Sequence, residues 1–255
     1  MEIIKLSNLS IGYGQNVVVS DITASLHSGQ LTCLLGANGA GKSTLLRTLS
    51  AFQSPLFGEI EIGNTPINEL SQLDLACKIG VVLTEKMDLR NITVEELVGL
   101  GRSPYTGFWG NLRATDREIV AEAIDMVGMT PLAYRQIQTL SDGERQKAMI
   151  AKALAQQTPI IILDEPTAFL DFQSKIDVLQ LLCKMAHDYG KTIFLSIHDV
   201  ELAMQVADMI WLLDERKKLQ VGTPEELSNN GVFAHFIEKE NIVFDSQTMR
   251  VRIKI

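Results

Sequence analysis

Apolar residues in this chain occur in two kinds of stretch, short unbroken runs and longer segments with helical spacing. The short segments predict strands, and they read EIIKL, QLTCLLG, GEIEIG, KIGVVLT, PIIILDE, KTIFLSIH and MIWLLD. The runs TCLLG, IIILD and TIFLSIH do not alternate between apolar and polar positions. Unbroken runs of this kind are typical of strands buried on both faces of a parallel sheet.

Helical spacing of apolar residues predicts helices over residues 42–50, 93–100, 115–127, 142–157, 172–189 and 200–207. Strands that alternate with helices favour βαβ units and an α/β fold. The stretch GRSPYTGFWGN, residues 101–111, is rich in Gly and aromatic residues and is predicted to be a loop between helices. The alternating tail MRVRIKI predicts a basic edge strand, with a nucleic-acid-binding arm as the alternative.

Composition and charge narrow the classes of function. The chain has 255 residues, 46% of them hydrophobic, which is enough for one large α/β domain or two small ones. Its net charge is −8, from 23 basic and 31 acidic residues. A groove for a phosphate backbone requires clustered Lys and Arg, so we expect no nucleic-acid partner.

The cysteines and the N-terminal segment bear on the cellular compartment of the protein. Cys33, Cys77 and Cys183 are far apart and have no metal-ligand spacing, so we interpret them as thiols in a reducing environment. The first residues, MEIIKLSNLS, show no secretory signal. No apolar run approaches the ~20 residues that a membrane-spanning helix needs. We therefore expect a cytoplasmic protein.

The most specific motif is GANGAGKST, residues 36–44, which follows the apolar run LTCLL and precedes the helical run TLLRTLS. That strand–loop–helix context is the one that a P-loop requires. Its glycines let backbone N–H groups surround phosphate oxygens, Lys42 can reach the β- and γ-phosphates, and Ser43 can ligate Mg²⁺. The predicted nucleotide-binding residues here are Gly36, Ala37, Asn38, Gly39, Ala40, Gly41, Lys42, Ser43 and Thr44.

Two further strand ends carry candidate catalytic groups. IIILDEP ends a buried strand with Asp164 and Glu165, and the carboxyl end of a parallel strand faces the ligand crevice. Asp164 can hold Mg²⁺ through water, and Glu165 can polarise an attacking water. In the segment IHD, His198 can contact the γ-phosphate and that water. The alternatives are helix-capping acids at the first strand end and a structural His at the second.

The segment LSDGERQKAM begins a predicted helix. Ser141 and Glu144 have the Ser-x-x-Glu spacing of a capping box, and Asp142 lies between them. The N-terminus of a helix presents backbone N–H groups and a positive dipole end, which suit an anion. The sequence therefore predicts a second anion site, separate in the chain from the P-loop.

Taken in order, the P-loop, LSDGERQ, IIILDEPTAFLD and IHD resemble the nucleotide-binding subunit of an ATP-binding-cassette (ABC) transporter. The resemblance covers nearly the whole chain, and LSDGE is the part that other P-loop ATPases lack. It implies a P-loop nucleotide-binding core with a mainly parallel sheet, a small antiparallel β part and an inserted helical subdomain. We expect one nucleotide-binding domain over residues 1–255, with the helical subdomain at approximately 86–157 and a C-terminal β extension at approximately 239–255.

The resemblance also implies an answer to the question of which anion the second site binds. In the family, the LSDGE segment of one subunit covers the γ-phosphate of ATP held by the P-loop of another. Ser141, Gly143 and Glu144 would then act on a second copy of the chain, and two ATP molecules would lie between two head-to-tail subunits. Asp171 matches the acid of the loop that crosses this interface, and Tyr13 matches the aromatic position that stacks on adenine.

Two positions depart from the family pattern. The usual Leu-Ser-Gly-Gly-Gln is Leu-Ser-Asp-Gly-Glu here, and we predict that Asp142 lies in the first helical turn and points away from the phosphate. The family also has a Gln after the strand that reads KIGVVL, where this chain has Thr84 followed by Glu85. We expect Mg²⁺ to be held mainly by Ser43, the phosphates and water.

The segment around GRSPYTG resembles ATPases of iron–siderophore, haem and cobalamin uptake systems. This implies an importer subunit that is peripheral on the inner face of the membrane and contacts permease subunits through approximately residues 84–111. One alternative is a non-transport cassette such as an iron–sulfur assembly ATPase. A chromosome-organising ATPase would need long coiled-coil segments, and the chain shows no sustained heptads between GKST and LSDGE. A translation factor of this family usually carries two cassettes, whereas this sequence has one P-loop. The intact catalytic positions argue against an inactive scaffold.

Overall fold

The computed structural model describes residues 1–83, 91–107, 110–238 and 241–253. In that part of the chain the strands are β1 Glu2–Tyr13, β2 Asn16–His27, β3 Leu31–Gly36, β4 Phe57–Ile62, β5 Thr65–Pro66, β6 Ile79–Val82, β7 Ile160–Leu163, β8 Thr192–Ser196, β9 Met209–Leu213, β10 Leu219–Gly222, β11 Ile242–Asp245 and β12 Arg250–Ile253. The α-helices are α1 Lys42–Leu49, α2 Gln72–Lys78, α3 Val94–Gly99, α4 Ala114–Met126, α5 Asp142–Ala155, α6 Phe172–His187, α7 Val200–Val206, α8 Pro224–Asn229 and α9 Val232–Ile237. Short 3₁₀ helices cover Ile67–Glu69, Leu100–Tyr105, Thr130–Leu132 and Ile137–Thr139.

The chain divides into two compact units. The first contains residues 1–69 and 192–255, and the second contains residues 70–191. One sheet of the first unit is antiparallel and has the strand order β2-β1-β4-β5, with Leu6 of β1 opposite Ile60 of β4. The predicted small antiparallel part is therefore confirmed.

The other large group of strands in the first unit has the order β10-β9-β3-β8. Strand β3 runs parallel to both neighbours, so that Cys33 lies opposite Leu195 on one side and Ile210 on the other. All residues of β3 and β8 are buried, and the rings of Phe194 and Trp211 meet edge to face at 5.0 Å. The prediction that the unbroken apolar runs form parallel strands is confirmed.

The second unit combines two parallel strands with most of the long helices. Strand β6 pairs with β7, and Val82 lies opposite Leu163 at their carboxyl ends. Helix α5 packs against α3, α4 and α6. Its buried face is rich in small residues, including Ala148, Ala151 and Ala155, which allows these neighbours to approach closely.

The C-terminal tail forms strand β12, as its alternating pattern predicts, and this strand is one half of a β-hairpin. Strand β12 pairs antiparallel with β11, and an ion pair of 2.8 Å joins Arg252 to Asp245. The Val251 N–H donates a hydrogen bond to Glu201 Oε1 at 2.8 Å, which ties the hairpin to α7. The hairpin is thus attached to the helix that follows the segment IHD.

One local prediction is wrong. The stretch that starts GRSPY is not simply a loop, because Leu100–Tyr105 forms a 3₁₀ helix, which we call the GRSPY helix. Its inward side chains bind the end of α5, and this attachment gives the segment a regular conformation. The predicted positions Thr84 and Glu85 lie outside the described residues. Among the residues that the structure describes, no helix is both long enough and apolar enough to cross a membrane.

Candidate functional site

The P-loop lies between β3, which ends at Gly36, and α1, which begins at Lys42. Gly41 caps α1 with a φ of 109°, a conformation that side chains disfavour. A Cβ built on Gly41 would stand 2.9 Å from methyl carbons of both Val18 and Val19. Glycine is therefore required at this position for its conformation and for the space that it leaves.

Helix α1 presents a favourable end to an anion. Within the described residues, its first turn contains no acidic residue and no side chain caps it. The first backbone N–H groups of a helix point outward from its N-terminus, and together with the positive end of the helix dipole they suit an anion such as phosphate. The Lys42 side chain is 6% exposed, and its ammonium donates to the carbonyl oxygens of Gly36 at 2.9 Å and Ala37 at 3.3 Å. Ser43 is exposed beside it.

Tyr13 lies next to the P-loop helix. The Thr44 hydroxyl donates to Tyr13 Oη at 3.3 Å, and half of the Tyr13 side chain surface is exposed. The hydrogen bond fixes the hydroxyl end of the side chain against the first turn of α1. The exposed ring is consequently available to a flat partner close to the phosphate-binding loop.

The strand register brings His198 to the same sheet edge as the P-loop. Leu34 of β3 lies opposite Ser196 of β8, and the Ile197 N–H donates to the Leu34 carbonyl at 3.2 Å. Because the two strands are parallel, Gly36 and His198 each follow two residues later at the same edge. His198 is exposed, and Asp199 directly after it caps α7 by accepting from the Leu202 N–H.

The acidic pair in the second unit follows β7. Asp164 and Glu165 are both partly buried, and the Asp164 N–H continues the sheet ladder by donating to the Val82 carbonyl at 2.9 Å. Glu165 has a φ of 48°, which is uncommon for a residue with a side chain. Backbone conformations of this kind cluster at functional sites, where the surrounding structure holds them.

Asp171 begins α6. Its carboxylate accepts from the Ser174 N–H at 3.0 Å and from the Ser174 hydroxyl at 2.7 Å. These hydrogen bonds lower the pKa of Asp171, and the bond from the Ser174 backbone has the largest effect. Phe169 and Phe172 on either side of it are 77% and 71% exposed, so the segment presents apolar rings around one carboxylate.

The predicted capping box at the start of α5 is confirmed. The Ser141 N–H donates to Glu144 Oε2 at 2.8 Å, its hydroxyl lies 2.9 Å from the same oxygen, and the Glu144 N–H donates back to Ser141 Oγ at 3.3 Å. The hydrogen bonds from Ser141 lower the pKa of Glu144, and the bond from the Ser141 backbone has the largest effect. Asp142 is exposed in the first turn, with Oδ1 3.5 Å from a guanidinium nitrogen of Arg145.

Within the second unit, the start of α5 packs against the start of α6. A Cβ on Gly143 would lie 2.8 Å from Ser174 Oγ. One turn further along, Lys147 Nζ lies 3.2 Å from the Asp177 carboxylate. We call this contact the α5–α6 seam, and it joins the LSDGE segment to the residues around Asp171.

Sequence reasoning missed the attachment at the other end of α5. Arg102 of the GRSPY helix is buried, and its guanidinium bonds to Asp116 and to the Ala155 carbonyl at the end of α5. An Arg in a polar stretch gives no signal of burial, and its acidic partner lies 14 residues away in the sequence. Ser174 was missed for a similar reason, because a Ser three residues after a helix cap is ordinary.

The predicted site residues therefore fall into two sets. The first unit holds the P-loop, Tyr13 and His198, while the second holds Asp164, Glu165, Asp171 and the LSDGE segment. In both sets, most of the residues lie at the end of a buried strand or at the start of a helix. These are the positions at which a parallel α/β fold presents polar groups to a ligand.

The donors expected to hold Mg²⁺ are oxygens. The Ser43 hydroxyl is exposed at the start of α1, and the Asp164 carboxylate follows β7. In the described part of the chain, no cluster of three or more His, Cys, Asp or Glu side chains could hold a metal ion by itself. Hydroxyl and carboxylate oxygens are both ligand types that Mg²⁺ accepts, and Mg²⁺ is usually bound by few protein ligands together with substrate phosphates.

Comparison with known proteins agrees with this arrangement. A family model described as ABC transporter matches residues 19–168. The chain is 38% identical over 231 residues to the ferric enterobactin transport ATP-binding protein FepC of Escherichia coli K12, covering 91% of this chain and 84% of FepC. It is 34% identical over 249 residues to the iron(3+)-hydroxamate import ATP-binding protein FhuC of Bacillus subtilis 168, covering 97% and 93%.

Solved structures give the same result. A putative metal-chelate type ABC transporter in an inward-facing conformation matches with a TM-score of 0.82 and 26% identity, covering 99% of this chain and 96% of that one. The cassette MJ0796, solved as a dimer, matches with a TM-score of 0.74 and 27% identity, covering 87% and 99%.

The P-loop, the acidic pair after β7 and the LSDGE helix define an ATP-hydrolysing nucleotide-binding subunit. The chain belongs to the ABC transporter family, as a member of its ATP-binding proteins. The α/β fold expected from the resemblance, with a mainly parallel sheet and a small antiparallel sheet, is confirmed.

Proposed function

We propose that this chain is the ATPase subunit of an importer for an iron chelate, a siderophore complex or haem, or for cobalamin. It would act as a head-to-tail dimer beneath membrane permease subunits. The observation that carries the ATPase part is the P-loop, where the start of α1, which no side chain in the described part of the chain caps, lies beside the buried Lys42 ammonium. The names of FepC and FhuC and the metal-chelate transporter support the cargo class.

In the proposed reaction, water attacks the γ-phosphorus of ATP and the products are ADP and phosphate. The transition state spreads charge over the γ-phosphoryl oxygens, so positioning and electrostatics dominate catalysis. Lys42 and the N–H groups of α1 would face that charge from one subunit. Glu165 would orient or deprotonate the water, and His198 would contact the γ-phosphate and the water.

The bound Mg²⁺ would supply positive charge to the β- and γ-phosphates. Ser43 and Asp164 are the residues proposed to hold it, directly and through water respectively. Tyr13 would stack on the adenine ring. The remaining contacts of the P-loop are backbone contacts, and they depend on the loop conformation rather than on particular side chains.

Ser141, Gly143 and Glu144 would contact the γ-phosphate of the second copy of the chain, and Asp171 would lie in the loop that crosses to it. Related cassettes have been solved as dimers, including MJ0796 with ADP and phosphate bound. Residues 84–111 are proposed to contact the permease. The subunit would therefore be peripheral on the inner face of the membrane.

The first experiment is sedimentation of the Glu165→Gln variant with and without Mg-ATP. General-base help is worth roughly 10²–10⁴-fold in rate, so this variant is expected to trap ATP and a closed dimer. The matched control is Glu165→Gln with Lys42→Ala, which is expected to stay monomeric. A variant that binds ATP and remains monomeric at all protein concentrations would contradict the nucleotide-dependent dimer.

A second experiment addresses the cargo class. The subunit would be expressed with permease subunits from the same genome and purified from membranes. We expect co-purification, and ATP hydrolysis in proteoliposomes that rises when a ferric chelate and its binding protein are supplied. Purification with soluble iron–sulfur assembly proteins instead would favour the non-transport cassette.

A further inference from the structure

The helix that begins at the LSDGE segment is held at its far end by the GRSPY helix. The last four carbonyl groups of an α-helix have no partner within the helix, so other groups must bind them. Arg102 donates from one terminal nitrogen to the Ala155 carbonyl at 2.8 Å and to Gln157 Oε1 at 3.0 Å. A cation at this position also complements the negative end of the α5 dipole.

Arg102 is itself fixed in place. Its Nε donates to Asp116 Oδ1 at 3.0 Å, and both side chains are less than 10% exposed. The second oxygen of Asp116 accepts from the Arg113 N–H at the start of α4. The planar guanidinium thus binds α4 and α5 together, which the single charge of a Lys could not reproduce.

Tyr105 adds a second attachment to the same helix end. Its hydroxyl donates to the Gln156 carbonyl at 3.0 Å, and its ring lies under the Arg102 guanidinium with the central carbon 4.1 Å from the ring centre. Burial raises the pKa of Tyr105, so the hydroxyl stays protonated and remains a donor. Two consecutive carbonyls, at positions 155 and 156, are therefore held by one short helix.

Gly101 allows the close approach. A Cβ on Gly101 would lie 2.2 Å from the Lys152 carbonyl oxygen and 3.2 Å from the Ala155 Cβ. Backbone at that distance cannot move aside without displacing α5. We call Gly101, Arg102 and Tyr105 the α5 anchor, because all three determine where this helix end lies.

The two ends of α5 have different tasks. The helix has 14 residues and is about 21 Å long at ~1.5 Å per residue. Its first turn carries Ser141 at the cap and packs on α6 through the α5–α6 seam. A tilt of about 5° at the anchored end would move the other end by roughly 2 Å over this length. Misplacement by ~1 Å can cost an enzyme on the order of 100-fold in rate.

We propose that Arg102 is a positioning residue for the half of the ATP site that acts on the second copy of the chain. Through the α5 anchor it fixes the axis of α5 and so the place of Ser141. The outer face of the GRSPY helix, with Leu100 and Ser103, is exposed. This inference rests on the proposed function, because it assigns Arg102 a role in the dimeric ATP site.

The test compares Arg102→Lys with its parent in the Glu165→Gln background. ATP affinity of the monomer depends on the P-loop, and we expect it to change less than twofold. The dissociation constant of the dimer in the presence of ATP is expected to rise at least tenfold, because the α5 anchor no longer fixes the axis of α5. With Glu165 intact, kcat is expected to fall by a similar factor while KM for ATP stays nearly constant.

Two further variants make the test independent of folding. Tyr105→Phe removes one hydrogen bond to α5 and keeps the ring, so it is expected to give the same pattern with a smaller dimerisation loss of roughly two- to fivefold. Arg117→Gln removes a positive charge from the exposed face of α4 and serves as the matched control. It is expected to leave both constants unchanged.

The results separate this inference from the proposed function. If the Glu165→Gln parent does not dimerise with ATP, the proposed sandwich fails before Arg102 is considered. If the parent dimerises and Arg102→Lys lowers only the unfolding temperature, Arg102 is merely structural and the inference is wrong. If Arg102→Lys does not fold, unchanged dimerisation of Tyr105→Phe overturns it.

Discussion

Gly143 in the LSDGE segment lies directly against Ser174 in the first turn of α6, where a Cβ would come 2.8 Å from the Ser174 hydroxyl oxygen. The same hydroxyl donates to Asp171 at 2.7 Å. Any side chain at Gly143 must therefore displace the group that holds the Asp171 carboxylate. The two segments proposed to meet a second subunit are thus coupled inside one unit through Gly143 and Ser174.

Gly143→Ala is expected to destabilise the fold by about 1–3 kcal/mol, because an added methyl group overpacks the α5–α6 seam. Urea unfolding would measure the loss. Ser174→Gly removes the obstructing atoms, so the double variant should regain at least half of what Gly143→Ala loses. Contacting residues typically show interaction energies of about 0.5–3 kcal/mol. Strictly additive losses would mean that the two residues do not press on each other.

The capping box at the start of α5 should make stability depend on pH. Hydrogen bonds from Ser141 lower the pKa of Glu144 below its ordinary value of 4.5. A lowered pKa in the folded state contributes stability that is present above the ordinary pKa and is lost as the pH falls through the folded pKa. Wild type is therefore expected to exceed Glu144→Gln in free energy of unfolding near pH 7, with the difference shrinking below pH 4.5.

Unfolding of both variants by urea from pH 7 to pH 3 would measure this difference. Contributions of other carboxylates, such as Asp171, cancel because both variants contain them. Glu118→Gln on the exposed face of α4 controls for the loss of one negative charge. A difference between wild type and Glu144→Gln that stays constant to pH 3 would contradict the role of the capping box.

The sequence was most informative where periodicity and burial agree. The fully buried strands β3, β7 and β8 are unbroken apolar runs, and the pattern predicted them as parallel strands. Strand β2 was missed because its pairing with β1 shifts register several times and Asp21 adopts a φ of 58°. Burial along β2 consequently follows no period of two.

Helix α2 was missed because none of its residues is buried, so no apolar stripe marks it. Its capping box, Ser71 with Asp74, is a local signal that could have identified it. The residues of the candidate site also differ in how far the sequence predicts them. Motif residues such as Lys42 follow from the sequence, whereas the contact of Arg102 with the Ala155 carbonyl depends on tertiary packing that no local pattern encodes.

Gly41 should tolerate no side chain. Alanine there would meet Val18 and Val19 at 2.9 Å in a conformation with φ of 109°. We expect Gly41→Ala to weaken ATP binding at least tenfold, because the loop that surrounds the phosphates must distort. Gly63→Ala is the matched control, since Gly63 has a φ of 57° but no atom within 4 Å of a built Cβ.

The control should lose only the cost of the left-handed conformation, about 1–2 kcal/mol of stability, and keep its ATP affinity. Equilibrium binding of a fluorescent ATP analogue, together with thermal unfolding, would separate the two effects. Equal ATP affinity in Gly41→Ala and Gly63→Ala would show that the space beside Val18 and Val19 is not needed.

The Tyr13 ring, rather than its hydroxyl, should determine adenine binding. Stacking of a base on an aromatic side chain is worth about 1–3 kcal/mol, so Tyr13→Ala is expected to weaken ATP binding roughly 5- to 150-fold. Tyr13→Phe keeps the ring and loses the hydrogen bond from Thr44, so it should bind ATP within about threefold of wild type. Titration calorimetry with ATP and GTP would measure both variants.

Because stacking requires only a flat base, the affinities of the variants for GTP should follow the same order. Equal losses in Tyr13→Phe and Tyr13→Ala would instead assign the effect to the Thr44 contact and to the placement of α1.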